Sequence, residues 1–119
     1  MTENIIQAKS FKFAVEIIET YKIICSEKKE FILSKQLLRS GTSIGANISE
    51  AQYGQSTKDF IHKLQISRKE ASETLYWLRL LEATDYLSID KSKIMKENCV
   101  ELLKIMTSII KSIELKLQS

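Results

Sequence analysis

Few side chains in this chain of 119 residues could carry out chemistry. The single histidine, His62, is the one imidazole available for acid–base work. On a helical projection it sits with Lys58, Gln65 and Lys69, a polar side without a cleft. Cys25 and Cys99 lie far apart, and no CxxC or Cys/His spacing suggests a metal site or a disulfide framework. Both fall at apolar positions, where a free thiol acts as a small core side chain. Glu50, with Asn47 nearby, and Glu73 lie close to apolar faces. Carboxylate-bridged di-iron bundles draw ligands from several helices but need Glu-x-x-His elements, which are missing here. A hydrogen-bonded or ion-paired layer with Arg39 or Arg68 is the expected role of these carboxylates. GxSxG, HExxH, GxGxxG and P-loop motifs are all missing. The expectation is a protein that is not an enzyme, with no cofactor and no metal.

Positive charge is the remaining chemistry. Lys35 and Arg39 stand one turn apart on a second helical segment. Lys58, His62 and Lys69 share a side of a third, with Lys63 and Arg68 close by. These seven residues are the candidate contacts for nucleic-acid phosphates. Sites for single strands also use stacking aromatics, and near the start of this group there is Tyr53. The net charge of +3 is spread along the chain, with no basic tail. An ordinary solvated face is the alternative. Ring symmetry would repeat any such patch around its axis.

The elements that position these residues are legible from punctuation and period. The chain has no proline and three glycines, which disfavours a fold with many turns. Hydrophobic residues at 44% and charged residues at 28% support a packed core and disfavour disorder. No apolar run approaches the ~20 residues of a membrane span. Met1-Thr2-Glu3-Asn4 lacks the pattern of a signal peptide, so a cytoplasmic location and no membrane partner are expected.

Four helices are predicted within one domain over 1–119, at about 5–27, 35–52, 57–84 and 89–117. In the first, Phe11, Ala14, Ile18, Tyr21 and Cys25 mark the apolar stripe, widened by Phe13, Ile17 and Ile24. Ser34 is the expected N-cap of the second, whose core face is Leu33, Leu37, Gly41, Ile44, Ile48 and Ala51. Gly41 and Gly45, among small residues, predict a close helix–helix approach; a ligand-approach site and a loop over Ser40–Ser43 are the alternatives. Gly54 is placed as the glycine after the helix end, and Ser56 with Asp59 opens the third helix. Its core stripe is Phe60, Leu64, Ser67, Ala71, Leu75, Leu78 and Leu81. Tyr76, Trp77 and Leu80 widen this helix beyond one face, so they line either a subunit interface or a thick core. Ser88 or Asp90 starts the fourth helix, with Met95, Cys99, Leu102, Met106, Ile109, Ile113 and Leu117 inward. Four long helices with short connections predict an all-α, antiparallel up-down-up-down four-helix bundle.

The run Gln36-Leu37-Leu38-Arg39-Ser40-Gly41-Thr42-Ser43-Ile44-Gly45-Ala46-Asn47-Ile48-Ser49-Glu50-Ala51 resembles the signature of the proteins related to the 23S rRNA intervening-sequence proteins. A second block agrees: Ser56 to Leu64, then Lys69 to Thr74, then Trp77-Leu78. Ala51 stands where many members carry glycine. The resemblance implies a left-handed antiparallel bundle assembled as a ring-shaped homopentamer. Some such proteins are encoded within 23S rRNA genes and others stand alone, with no established molecular function. Accessory proteins of diversity-generating retroelements look similar, and they bind nucleic acid and a reverse transcriptase. By analogy the expected partners are copies of the chain itself, RNA or DNA, or a protein such as a polymerase.

Overall fold

The computed structural model describes residues 2–118, so Met1 and Ser119, the ends of the expected 1–119 domain, lie outside the described residues. Helix α1 spans Thr2–Ile23 and runs into a π-helical turn at Ile24–Lys28. Helix α2 spans Leu33–Ala51, α3 Thr57–Ala83 and α4 Ile89–Gln118. Among the described residues there is no strand. The helices contact one another in a cycle, α1 to α2, α2 to α3, α3 to α4 and α4 back to α1. They form a rod with extents of 52 × 22 × 21 Å.

Steps of three and four residues set every inward face. Helix α2 buries Ser34, Leu37, Gly41, Ile44, Ile48 and Ala51. Helix α3 buries Leu64, Ser67, Ala71, Thr74, Leu78 and Leu81, and α4 buries Ser92, Met95, Cys99, Leu102, Met106 and Ile110. A repeat averaging 3.5 residues keeps one seam of each helix against its neighbours. Two small hydroxyls of α3 inside this core bond to α2. Ser67 Oγ donates to the Ile44 carbonyl at 2.8 Å, and Thr74 Oγ1 meets Ser40 Oγ at 2.9 Å. Along this seam the pairs ascend in α3 as they descend in α2. Ser40–Ser43 is helical, which settles the alternative of a loop there.

Several expected details are corrected. In α1 the buried positions are Ile6, Ser10, Phe13, Ile17 and Thr20, continued by Ile24 of the π-helical turn, whereas Phe11 and Ile18 are exposed. Ser10 and Thr20 occupy core positions of this helix, so its polar residues concealed the true phase. Thr74 takes the buried place expected for Leu75, and Leu117 is exposed near the end of α4. Ser34 is not the N-cap of α2. Instead the Glu30 carboxylate accepts from the backbone N–H groups of Ile32, Leu33 and Ser34 at 2.7, 2.6 and 3.0 Å. Ser34 lies one residue inside the helix, and its hydroxyl donates to the Glu30 carbonyl. Gly54 does not have positive φ. The positive φ values belong to Lys29 at 55° and Asp85 at 67°. Asp85 closes α3, with Tyr86 N–H on the Leu81 carbonyl and Asp85 N–H on that of Glu82. That is the Schellman pattern with aspartate in the left-handed place usual for glycine. Ser56 does cap α3, accepting from Asp59 N–H, and Ser88 rather than Asp90 caps α4 through Lys91 N–H.

Candidate nucleic-acid interface

The seven candidate basic residues divide among four parts of the bundle. Arg39 lies across the α2–α3 seam, with Nη1 3.1 Å from Glu70 and Nη2 bonded to Glu73. The indole of Trp77 donates to the same Glu73 carboxylate at 3.0 Å. Lys63 reaches back over this seam to Glu50 at 2.9 Å. Arg68 points to the α4 side and donates to Thr107 at 3.3 Å. Lys35 is exposed in the first turn of α2.

Lys58, His62 and Lys69 remain together. Steps of four and seven residues put them on one line of α3. That line is opposite the core positions, and all three side chains are exposed. Among the described residues no ion pair joins them to a carboxylate. A further step of seven reaches Tyr76, which is 52% exposed. Its ring stands edge-on to Trp77, with centroids 5.2 Å apart. The sequence reading placed Tyr76 with the interface and not with this basic line. The seven-residue step from Lys69 was the signal that could have joined them. Trp77 and Leu80 are half-buried, and Trp77 packs against the core.

The residues weighed for catalysis have other engagements. Glu50 and Glu73 pair with different cations, Lys63 and Arg39. Among the described residues no group of three or more His, Cys, Asp or Glu could hold a metal ion. Cys99 is buried and donates to the Ala71 carbonyl at 3.3 Å, and its burial pushes the thiol pKa up to about 12. Cys25 lies 3.7 Å from the Ser34 hydroxyl. No helix among the described residues is long and apolar enough to cross a membrane.

Two apolar features escaped the sequence reading. Phe11, Val15 and Ile18 form an exposed run along α1. It borders a groove of about 340 Å³ whose other wall is Thr42, Gly45, Ala46 and Ser49 of α2. At one end of the rod a cavity of about 700 Å³ separates the π-helical turn from the α3–α4 connection. Ile23, Ile24, Leu87 and Ile89 line it, with Glu27, Lys28 and Lys91.

The solved structures include a close likeness from Bacteroides thetaiotaomicron, described as a protein with unknown function from the S23 ribosomal protein family. It shares 50% sequence identity, with 93% of this chain and 99% of that chain covered and a TM-score of 0.92. No curated protein matches the chain. The profile of the 23S rRNA-intervening sequence proteins matches residues 2–108. With that match spanning α1 to α3 and most of α4, the chain belongs to the 23S rRNA-intervening sequence protein family.

Proposed function

We propose that this protein is a non-enzymatic, homo-oligomeric four-helix bundle that presents the outward line of α3 to RNA or DNA. The observation that carries this reading is the line itself. Lys58, His62 and Lys69 face solvent together, while Arg39 and Lys63 are held by carboxylates of the α2–α3 seam. Tyr76 at its end supplies a stacking ring. Lys35, Arg39, Lys63 and Arg68 flank the line and add to the local potential. In this reading the bundle is antiparallel, up-down-up-down and left-handed, and it works in the cytoplasm. Five copies in a ring, as the family resemblance implies, repeat the line around the axis.

The test is retention of a single-stranded RNA by the intact protein at two ionic strengths. Binding at about 50 mM salt that falls by orders of magnitude at about 200 mM supports the reading. The triple variant Lys58→Ala, His62→Ala, Lys69→Ala should bind weakly at both. Equal retention by parent and variant, or none by the parent at low salt, overturns it.

A second reading rests on the cavity at the end of the rod. Ile23, Ile89, Phe31 and Ile32 are exposed at that end. An apolar anchor from a protein partner, such as a reverse transcriptase or another polymerase, fits such a surface. A stable complex that survives nuclease treatment would favour this role as an accessory subunit or scaffold.

A further inference from the structure

The outward line of α3 does not stop at Tyr76. Three residues on, Arg79 is exposed on the same side of the helix, and among the described residues no ion pair holds it. Between the cations of this line stand Gln65 and Ser72, so no position from Lys58 to Arg79 on it is a carboxylate. Asp59 lies off the line, about 100° round the helix from Lys58. Glu70 and Glu73, on the flank, are engaged by Arg39. The exposed sides of other helices mix their signs. On α1, Glu19 falls between Lys12 and Lys22, and on α4 Glu97 and Glu101 fall between Lys93 and Lys104.

The ring of Tyr76 is set in place from behind. Arg39 holds Glu73, Glu73 accepts from the Trp77 indole at 3.0 Å, and Trp77 packs on the core. Tyr76 meets Trp77 edge-to-face, with 69° between the ring planes. That contact uses at most one face of the tyrosine ring, which leaves the other for a flat partner. A free aromatic face flanked by Lys69 and Arg79 combines the two elements of a single-strand site, stacking and positive charge.

Length separates a single strand from a duplex. Arg79 lies 21 residues after Lys58, or about 31 Å at 1.5 Å per residue. That is close to one turn of a duplex, about 34 Å. Over a turn each duplex strand winds once around the axis, so it departs from a straight row of cations. A duplex also keeps its bases stacked on each other, with no face free for Tyr76. An extended single strand can follow the row and turn one base onto the ring.

We infer that the outward line of α3 from Lys58 to Arg79 is a site for a single strand of nucleic acid, with one base stacked on Tyr76 and the phosphates on either side held by Lys69 and Arg79. The inference rests on the nucleic-acid reading above and adds the form of the strand, the stacking position and Arg79. Its contacts are to phosphate and base face, which RNA and DNA share.

Fluorescence anisotropy of the intact protein with a labelled single-stranded RNA of about a dozen nucleotides tests this at low salt. Tyr76→Ala should weaken binding about five- to a hundredfold without changing its salt dependence. Tyr76→Phe should bind like the parent. Arg79→Ala should weaken binding and lower the slope of log K against log salt by about 0.7, the share of one phosphate. The same RNA annealed to its complement should bind at least about tenfold more weakly, having lost the stacked base. A DNA strand of the same sequence should displace the RNA. Equal binding of single strand and duplex, or a DNA strand that fails to compete, would overturn the inference. So would a loss with Lys93→Ala, on α4, equal to that with Arg79→Ala, which would mean diffuse attraction. If Lys58→Ala, His62→Ala, Lys69→Ala weakens binding while Tyr76→Ala and Arg79→Ala do not, the inference falls and the nucleic-acid reading stands. No binding by the parent at low salt removes both.

Discussion

Ile17 of α1 sits directly on Gly41 of α2: a Cβ at position 41 would lie 2.7 to 2.9 Å from three carbons of that side chain. Four residues on, Gly45 meets the Ser10 backbone carbonyl, 3.2 Å from where its Cβ would be. The two glycines therefore set the distance between α1 and α2. Each forgoes about 1 kcal/mol of helix propensity against alanine to do so.

Gly41→Leu should therefore destabilise the bundle by about 1–3 kcal/mol through overpacking. Gly41→Ala should also lose stability, since the clash opposes its propensity gain. Pairing it with Ile17→Val should recover part of the loss. Urea unfolding of the four proteins measures this. A Gly41→Leu variant that unfolds like the parent would contradict the close-approach account.

Glu30 gives the bundle an acid-sensitive cap. Burial pushes its pKa up, but hydrogen bonds from the backbone N–H groups of Ser34, Leu33 and Ile32 to the carboxylate outweigh that. The net pKa lies below the ordinary value of 4.5. A depressed carboxylate pKa stabilises the fold above the unfolded value, and the contribution disappears as pH falls through the folded value. Stability should thus decline below about pH 4.5, and Glu30→Gln should flatten that part of the profile. At pH 7, Glu30→Ala should cost about 0.5–2 kcal/mol, as lost caps do. Equilibrium unfolding across pH for the parent and both variants checks the sign.

Lys29 and Asp85 hold positive φ without being glycine. Aspartate tolerates this region better than lysine. Lys29→Gly should therefore raise stability, by about 0.5–1 kcal/mol, and Asp85→Gly by less. Thermal melts that rank the two in the opposite order would contradict the assignment.

The two thiols should differ in reactivity. Cys99 is buried, with its pKa pushed up to about 12, and Cys25 is partly exposed. One equivalent of a thiol reagent should modify Cys25 in the native protein, and Cys99 should react only on unfolding. Peptide mapping after brief labelling distinguishes them.

The sequence made α2 and α3 legible because their apolar residues fall on one phase and the glycines punctuate it. Leu37, Ile44, Ile48, Leu64, Leu78 and Leu81 are all buried as their spacing predicts. Helix α1 was harder. Its outward Phe11 and Ile18 are as apolar as its inward Phe13 and Ile17, while its core admits Ser10 and Thr20. Hydrophobicity alone cannot choose between two such faces, and only the fit against Gly41 and Gly45 does. The cap by Glu30 was hidden for a similar reason, since a carboxylate four residues before Ser34 has no local signature of capping. At the candidate interface, the periodicity grouped Lys58, His62 and Lys69 correctly. It could not reveal that Arg39 and Lys63 are occupied by acids from the other helix of the seam, because those pairs depend on tertiary register.

In the proposed function, self-association repeats the basic line of α3 around an axis. Light scattering coupled to size-exclusion chromatography at micromolar concentration measures it directly. The mass expected is about five times the 13.7 kDa of one chain. A single species at 13.7 kDa would contradict the account.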